Sequence, residues 1–388
     1  MQRRRFIQLA GGGVVAGAGL AGCALQDFPA EALEAWQGPG AETDARRRAV
    51  AYAITAPNPH NLQPWLVDLR APGELTLYCD RGRLLPETDP FGRQILIGHG
   101  AFLELLVLAL AEQGLHSELT LWPQGAQPAA LADWDQRPVA RIRLQPGGTP
   151  DPLFAQVLQR HTPKVDFDTA RSVPAARVQQ MVESVRGTRV QAGATVDIAR
   201  VQPLRTLCRE AAQVEIATPR TAMESLRLVR VGPEEIRKHR DGISVNGLVP
   251  RTAAAFGLLD LERPPEAGSA AYREMMRRFE GHSASAMGFV WLATADNQRS
   301  TQIETGRAYL RLQLMATALG IGMHPMSQAL QEFPQMAPHY ATAHRLLLGK
   351  SAPRTADDAT VQMLCRIGYP KDEVLPSPRR PLAQFLST

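Results

Sequence analysis

Ala56-Pro57-Asn58-Pro59-His60-Asn61-Leu62-Gln63-Pro64-Trp65 is the stretch on which the reading of this chain turns. Its prolines fix the backbone and remove donors. The amides of Asn58, Asn61 and Gln63 can then present fixed hydrogen bonds to a planar polar ligand. The same residues would equally build a rigid corner capped by asparagine. Upstream, Asp44 to Ala56 reads as a helix with Asp44 as N-cap. Downstream, Trp65-Leu66-Val67-Asp68-Leu69 and Leu75-Thr76-Leu77-Tyr78-Cys79 are strand-like about a Pro72-Gly73 turn.

Further out, Ile95 to Leu115 is apolar nearly all round, the mark of a buried helix. Strands follow at Leu119 to Trp122 and Val139 to Leu144. Pro146-Gly147-Gly148-Thr149-Pro150 is the clearest linker. The second half repeats the theme, with a strand at Met287 to Thr294, an apolar helix at Gly306 to Gly320 and a late strand at Val361 to Ile367. Gly100 to Gly114 and Gly306 to Gly320 share one spacing, which aligns Leu106 with Leu312, Leu108 with Leu314 and Leu115 with Ile321. Two long buried helices predict two halves, 44–145 and 151–388, packed through one shared core. The expected class is α+β, each half a mostly antiparallel sheet flanked by helices. Residues 246–271 are long and irregular enough for a lid.

The chain has 388 residues, 44% hydrophobic and 21% charged, an ordinary globular composition. Its formal charge is +5, but Arg3, Arg4 and Arg5 supply three of those units, so no nucleic-acid partner is expected. Cys79, Cys208 and Cys365 lie far apart, with no zinc or disulfide framework, and no H-E-x-x-H occurs. Arg3-Arg4-Arg5-Phe6-Ile7, a short Gly/Ala-rich apolar run and Leu20-Ala21-Gly22-Cys23 follow the order of an export signal. The arginines resemble a twin-arginine signal and the cysteine ends a lipobox-like segment. Residues 1–23 are therefore expected to be a signal read by the twin-arginine translocase. Cys23 is the expected lipidation site, residues 24–43 a tether, and the location extracytoplasmic or periplasmic on a membrane. Gly17-Ala18-Gly19-Leu20-Ala21-Gly22 matches a dinucleotide fingerprint in letters only, because no strand precedes it. Gly281-His282-Ser283-Ala284-Ser285 nearly matches a nucleophile elbow, but a strand follows it where a helix should.

Arg160-His161-Thr162-Pro163-Lys164 alternates cations and a hydroxyl, so in extended form Arg160, Thr162 and Lys164 would share a face suited to phosphate. Gly368-Tyr369-Pro370 and Pro376-Ser377-Pro378-Arg379-Arg380-Pro381 close the chain with rigid backbone and paired arginines. These segments, with Gly320-Ile321-Gly322-Met323-His324-Pro325-Met326 and the opening loop, resemble the nitroreductase-like FMN oxidoreductases. They are most similar to an exported, single-chain, double-length branch. Asn58 stands where that family carries Ser, and Thr162 where it carries Ser.

The resemblance implies a flavin oxidoreductase acting on a small-molecule electron acceptor, with FMN as cofactor. It implies phosphate contacts from Arg160, Thr162, Lys164 and Arg379. Pro57, Asn58, Asn61, Gln63, Met323, His324, Pro325 and Met326 would lie around the ring. The loop occurs only in the first half and the cradle only in the second. One complete site between fused halves, in a monomeric pseudo-dimer, is thus expected. An FMN-holding protein with little turnover is the alternative, since an extracytoplasmic location removes the usual nicotinamide donor. His60 is the best candidate proton donor, and a turn-forming histidine is the plainer role.

Overall fold

The computed structural model describes residues 27–257 and 259–387. The expected signal and Cys23 lie outside the described residues. The strands are β1 Trp65–Asp68, β2 Glu74–Cys79, β3 Leu115–Leu121, β4 Ala140–Pro146, β5 Gln191–Thr195, β6 Val229–Val231, β7 Ile243–Val245, β8 Gly288–Thr294, β9 Gly322–Pro325, β10 Thr360–Gly368 and β11 Leu386–Ser387. The α-helices are α1 Ala45–Ala53, α2 Arg93–Ala111, α3 Ala175–Glu183, α4 Ile198–Ala217, α5 Pro219–Leu226, α6 Gly232–His239, α7 Leu248–Ala255, α8 Ala270–Ala284, α9 Arg299–Ala318 and α10 Ala337–Leu348. Asp44 caps α1 as its spacing predicts, accepting from the amides of Arg46 and Arg47.

A five-stranded sheet runs β11-β1-β2-β4-β3 and a four-stranded sheet runs β5-β8-β10-β9. The second is antiparallel throughout; the first is antiparallel except where β11 joins β1. This is the expected α+β fold of two sheet-and-helix halves. The helices α2 and α9 meet between them. A methyl on Gly100 would strike the Ile303 carbonyl and Gly306, and one on Gly306 would strike the Ile97 carbonyl and Gly100. The matched glycines of the sequence are thus the crossing point of the two central helices. Both helices end on left-handed glycines, Gly114 and Gly320. The core is shared: Ile303, Leu310 and Leu314 of α9 pack with the first half, and Ile97 of α2 packs with the second. α2 has the length and composition of a membrane span, yet it is largely buried within this core.

Three expectations change. Ala30–Gln37 of the expected tether is a 3-10 helix, whose Trp36 reaches the second half. The division at 146–150 is not clean, because Phe385 is buried in the first core and Leu386 pairs with Val67. The expected lid 246–271 contains the helix α7, which buries none of its residues. The loop at 56–63 is instead clasped by residues 225–242, through Gly242 N to Asn61 O at 3.3 Å and Gln63 Nε2 to Arg240 O at 2.9 Å. The thiols of Cys79, Cys208 and Cys365 are free and buried.

Candidate functional site

The loop after α1 is held in an unusual shape. His60, Asn61 and Gln63 all take positive φ, at 49°, 53° and 55°. Such backbone is disfavoured for side chains with a Cβ, so the surroundings must enforce it. They do so through the amides. Asn58 Oδ1 accepts from the Gln63 amide at 2.8 Å, and Asn58 Nδ2 donates to the Ala56 carbonyl at 3.1 Å. Asn61 Nδ2 donates to the Pro378 carbonyl at 3.0 Å and its Oδ1 accepts from Arg379 at 2.6 Å. Gln63 Oε1 accepts from the Arg380 amide at 3.0 Å. The amides that would face a ligand thus fasten the loop to itself and to the C-terminal tail. Pro57 and Pro59 remain partly accessible on its surface.

The expected phosphate cradle divides. Arg379 is buried and donates to the carbonyls of Ile54, Thr55 and Ala56 at 2.7, 2.8 and 3.1 Å. These are carbonyls left unpaired where α1 ends, the place a cation favours. Arg160 is also buried, donating to Thr55 O at 2.5 Å and Gln313 Oε1 at 3.2 Å, while its Nε has no partner. Trp36 lies over both guanidinium groups, at 5.2 Å from Arg160 and 5.1 Å from Arg379. Thr162 Oγ1 accepts from Gln313 at 3.2 Å. Arg160 and Thr162 thus share the Gln313 side-chain amide, whereas Lys164 stands apart from them, exposed.

Lys164 and Arg278, the latter on α8, keep solvent-accessible surface. Protein nevertheless crowds their cations. Burial, then Arg278 and Arg379, pushes Lys164 down to about 8, and burial lowers Arg278. Both cations are thus open to solvent and within electrostatic reach of each other. Neither the Lys164 nor the Arg278 side chain has an ion-pair or hydrogen-bond partner among the described residues. The histidines there are neutral: burial, with Lys164 beyond it, lowers His60 to about 4. His282 falls to about 3 through burial and the cations Arg366, Arg278 and Lys164.

The segment 322–326 is placed differently from the sequence expectation. Gly322 to Pro325 is an edge strand. Met323 and Met326 are buried in separate core clusters. His324 is buried, accepts from Arg366 Nε at 3.0 Å and sits edge-on to His282 at 5.1 Å. Pro325 is partly accessible. The surface hollows at Leu207, His339 and Leu346 and at Val178, Gly193 and Val196 lie away from these residues and hold no free cations.

The sequence reading missed Arg278, Ser225 and Glu215. Arg278 carries no local signal. Glu215 does: Leu204, Cys208 and Ala211 form the buried stripe of α4, and Glu215 continues that stripe with a carboxyl. His60 Nε2 lies 3.0 Å from Ser225 Oγ, which lies 3.3 Å from Glu215 Oε1. Among the described residues no group of His, Cys, Asp and Glu is fit to hold a metal.

No family model matches the chain. An uncharacterised protein of Mycobacterium tuberculosis is 34% identical over 126 residues, covering 32% of this chain and 36% of that protein's length. Two proteins of the same organism match far more of it. One, described as "Putative NAD(P)H nitroreductase acg", is 27% identical over 88% of this chain and 94% of its own length. A second nitroreductase so described is 24% identical over 90% of this chain and 92% of its own. Among solved structures, the FMN-dependent nitroreductase NfnB of Mycobacterium smegmatis, in complex with NADPH, overlaps at TM-score 0.35 and 17% identity. It covers 59% of this chain and 94% of that one. A nitroreductase with bound FMN from Bacteroides fragilis overlaps at TM-score 0.33 and 13% identity, over 60% of this chain and 95% of that one. Across nearly its whole length, this chain is therefore a distant relative of nitroreductase-like proteins of Mycobacterium tuberculosis.

Proposed function

We infer that the protein is an FMN-dependent oxidoreductase of the nitroreductase type, acting on a small organic electron acceptor. The observation that carries this is a group of cations without counter-charge. Lys164 lies within electrostatic reach of Arg278 and Arg379, and Arg379 within reach of Arg160; among the described residues none of the four pairs with a carboxylate. Neighbouring cations without a counter-charge are unfavourable unless an anion joins them. An FMN phosphate fits that need, with Lys164 and Arg278 as its free donors and the orphaned Arg160 Nε behind them. Pro57, Asn58 and the loop they belong to would border the ring. FMN, when bound, supplies the electron transfer; the protein supplies binding, orientation and electrostatics. The prolines and internally spent amides keep the loop rigid, and Arg379 anchors it to the end of α1.

A second reading, an FMN-holding protein with little turnover, draws on Trp36. The helix it belongs to closes over Arg160 and Arg379 and narrows access to them. Export through a twin-arginine route, with Cys23 lipidated, belongs to either reading. That route carries folded proteins, so the cofactor would be loaded before export.

The test is the visible spectrum of purified protein, with extracted cofactor identified by mass. Wild type should carry FMN, and Lys164→Ala with Arg278→Ala should be colourless but folded. FMN retained at full stoichiometry in that double variant would overturn the phosphate assignment. Bound FMN that reduces with dithionite but passes electrons to no quinone or nitro compound would favour the holding role.

A further inference from the structure

We propose that Glu215, Ser225 and His60 form a proton relay ending at the Pro57–Asn61 loop, and that the state of Glu215 sets which tautomer His60 presents there. The inference rests on the oxidoreductase reading for its acceptor, and on geometry for the relay itself.

The chain of contacts is continuous. Gln331 Nε2 donates to Glu215 Oε2 at 2.9 Å, which leaves Oε1 to exchange a proton with Ser225 Oγ at 3.3 Å. Ser225 Oγ meets His60 Nε2 at 3.0 Å. His60 Nδ1 has no protein partner among the described residues, and it belongs to a side chain that retains accessible surface. The left-handed backbone at His60 is the strained conformation that aims the ring.

Two proton arrangements satisfy every contact. When Glu215 is a carboxylate, Ser225 donates to it and must accept from His60 Nε2–H. His60 then carries a lone pair at Nδ1. When Glu215 is a carboxylic acid, Oε1–H donates to Ser225, Ser225 donates to Nε2, and His60 carries Nδ1–H.

Burial raises Glu215 to about 7; the Gln331 and Ser225 hydrogen bonds oppose that rise, and the Glu224 carboxylate on α5 adds to it. Lys164 faces His60 from the segment after Arg160 and helps keep the ring neutral. Both arrangements are therefore reachable near neutral pH without forming an imidazolium.

Reduction of a quinone or nitro compound takes up protons. The transfer balances in three hops. The Nδ1–H bond breaks as the acceptor gains that proton. The Ser225 hydroxyl proton forms the new Nε2–H bond, and the Glu215 carboxyl proton restores the hydroxyl. Glu215 ends as a carboxylate, His60 ends neutral in its other tautomer, and solvent returns one proton to Glu215.

The experiment is long-range nitrogen–proton NMR of histidine-labelled holoprotein from about pH 5 to about pH 9. The His60 ring should pass from Nδ1–H to Nε2–H with a midpoint near 7. Glu215→Gln, which is isosteric, and Ser225→Ala should each hold one tautomer throughout. In both variants the rate of acceptor reduction should lose its limb near pH 7 while FMN content stays at the wild-type level. An unchanging tautomer in wild type, or a switch that persists in either variant, overturns the relay. A colourless wild-type protein that still switches would instead overturn the FMN reading and leave the relay standing.

Discussion

Replacing Gly306 by alanine tests the joint between the two halves. The added methyl would lie 1.9 Å from the Ile97 carbonyl oxygen and 2.8 Å from the Gly100 Cα. Non-bonded atoms of this size rest about 3.5 Å apart, so the helices must separate by roughly 1.5 Å. Both struck atoms are backbone, so no rotamer change relieves the clash. Helix propensity acts the other way and favours alanine by about 1 kcal/mol. Overpacking a close contact costs about 3 kcal/mol or more, and here it also loosens Ile303 and Leu310 in the first core. The expected net effect is destabilisation of about 2–3 kcal/mol, read as a lower urea midpoint. Gly100→Ala should act alike, and the double variant should lose less than the two singles together by about 1 kcal/mol or more, because the first methyl has already parted the helices. A stabilised Gly306→Ala protein, or strict additivity of the pair, would refute the crossing.

Arg379→Ala should lower stability by several kcal/mol, on the order of 3, because the buried Ile54 carbonyl and Asn61 Oδ1 lose their Arg379 donor and the Thr55 and Ala56 carbonyls each lose one of two donors. Lys164→Ala, which removes no hydrogen bond, should leave the urea midpoint within roughly 0.5 kcal/mol of wild type; equal losses in the two variants would contradict the division of the cradle. Glu215, with its folded value raised from 4.5 to about 7, stabilises the fold fully at acid pH. That contribution, on the order of 3 kcal/mol, fades as pH climbs from about 4.5 through 7. Urea midpoints across this range should show the decline in wild type and a flatter profile in Glu215→Gln. Trp36→Ala removes the ring above Arg160 and Arg379 and its 2.8 Å hydrogen bond to Ser377. Amide exchange should accelerate across residues 30–37 and not across α2. Raising pH through about 8 discharges Lys164, so FMN affinity should fall there in wild type and not in Lys164→Gln.

Much of the architecture was legible because it follows from local patterning. The all-round apolar runs marked buried helices and their matched glycine spacing marked two like halves, while the close approach of Gly100 and Gly306 emerged only from the fold. Asp44 announced the start of α1, and the alternation at 65–69 and 75–79 announced paired strands. The loop at 56–65 was legible as a rigid structure by its prolines alone. What its amides do was not, since Asn61 and Gln63 spend their hydrogen bonds on Pro378, Arg379, Arg240 and Arg380, far away in the chain.

The sequence by itself therefore determined the elements, the paired central helices and the residue types from which an anion site is made. Tertiary structure decided which cations remain free. A guanidinium binds whatever acceptors it meets, and the fold brings Arg160 and Arg379 to the carbonyls left open where α1 ends. Among the described residues the side chains of Lys164 and Arg278 meet none and stay available. The same packing carries Glu215 and Ser225 to His60 across the chain. Such contacts depend on distance in space, and a linear pattern of residue types holds no record of it.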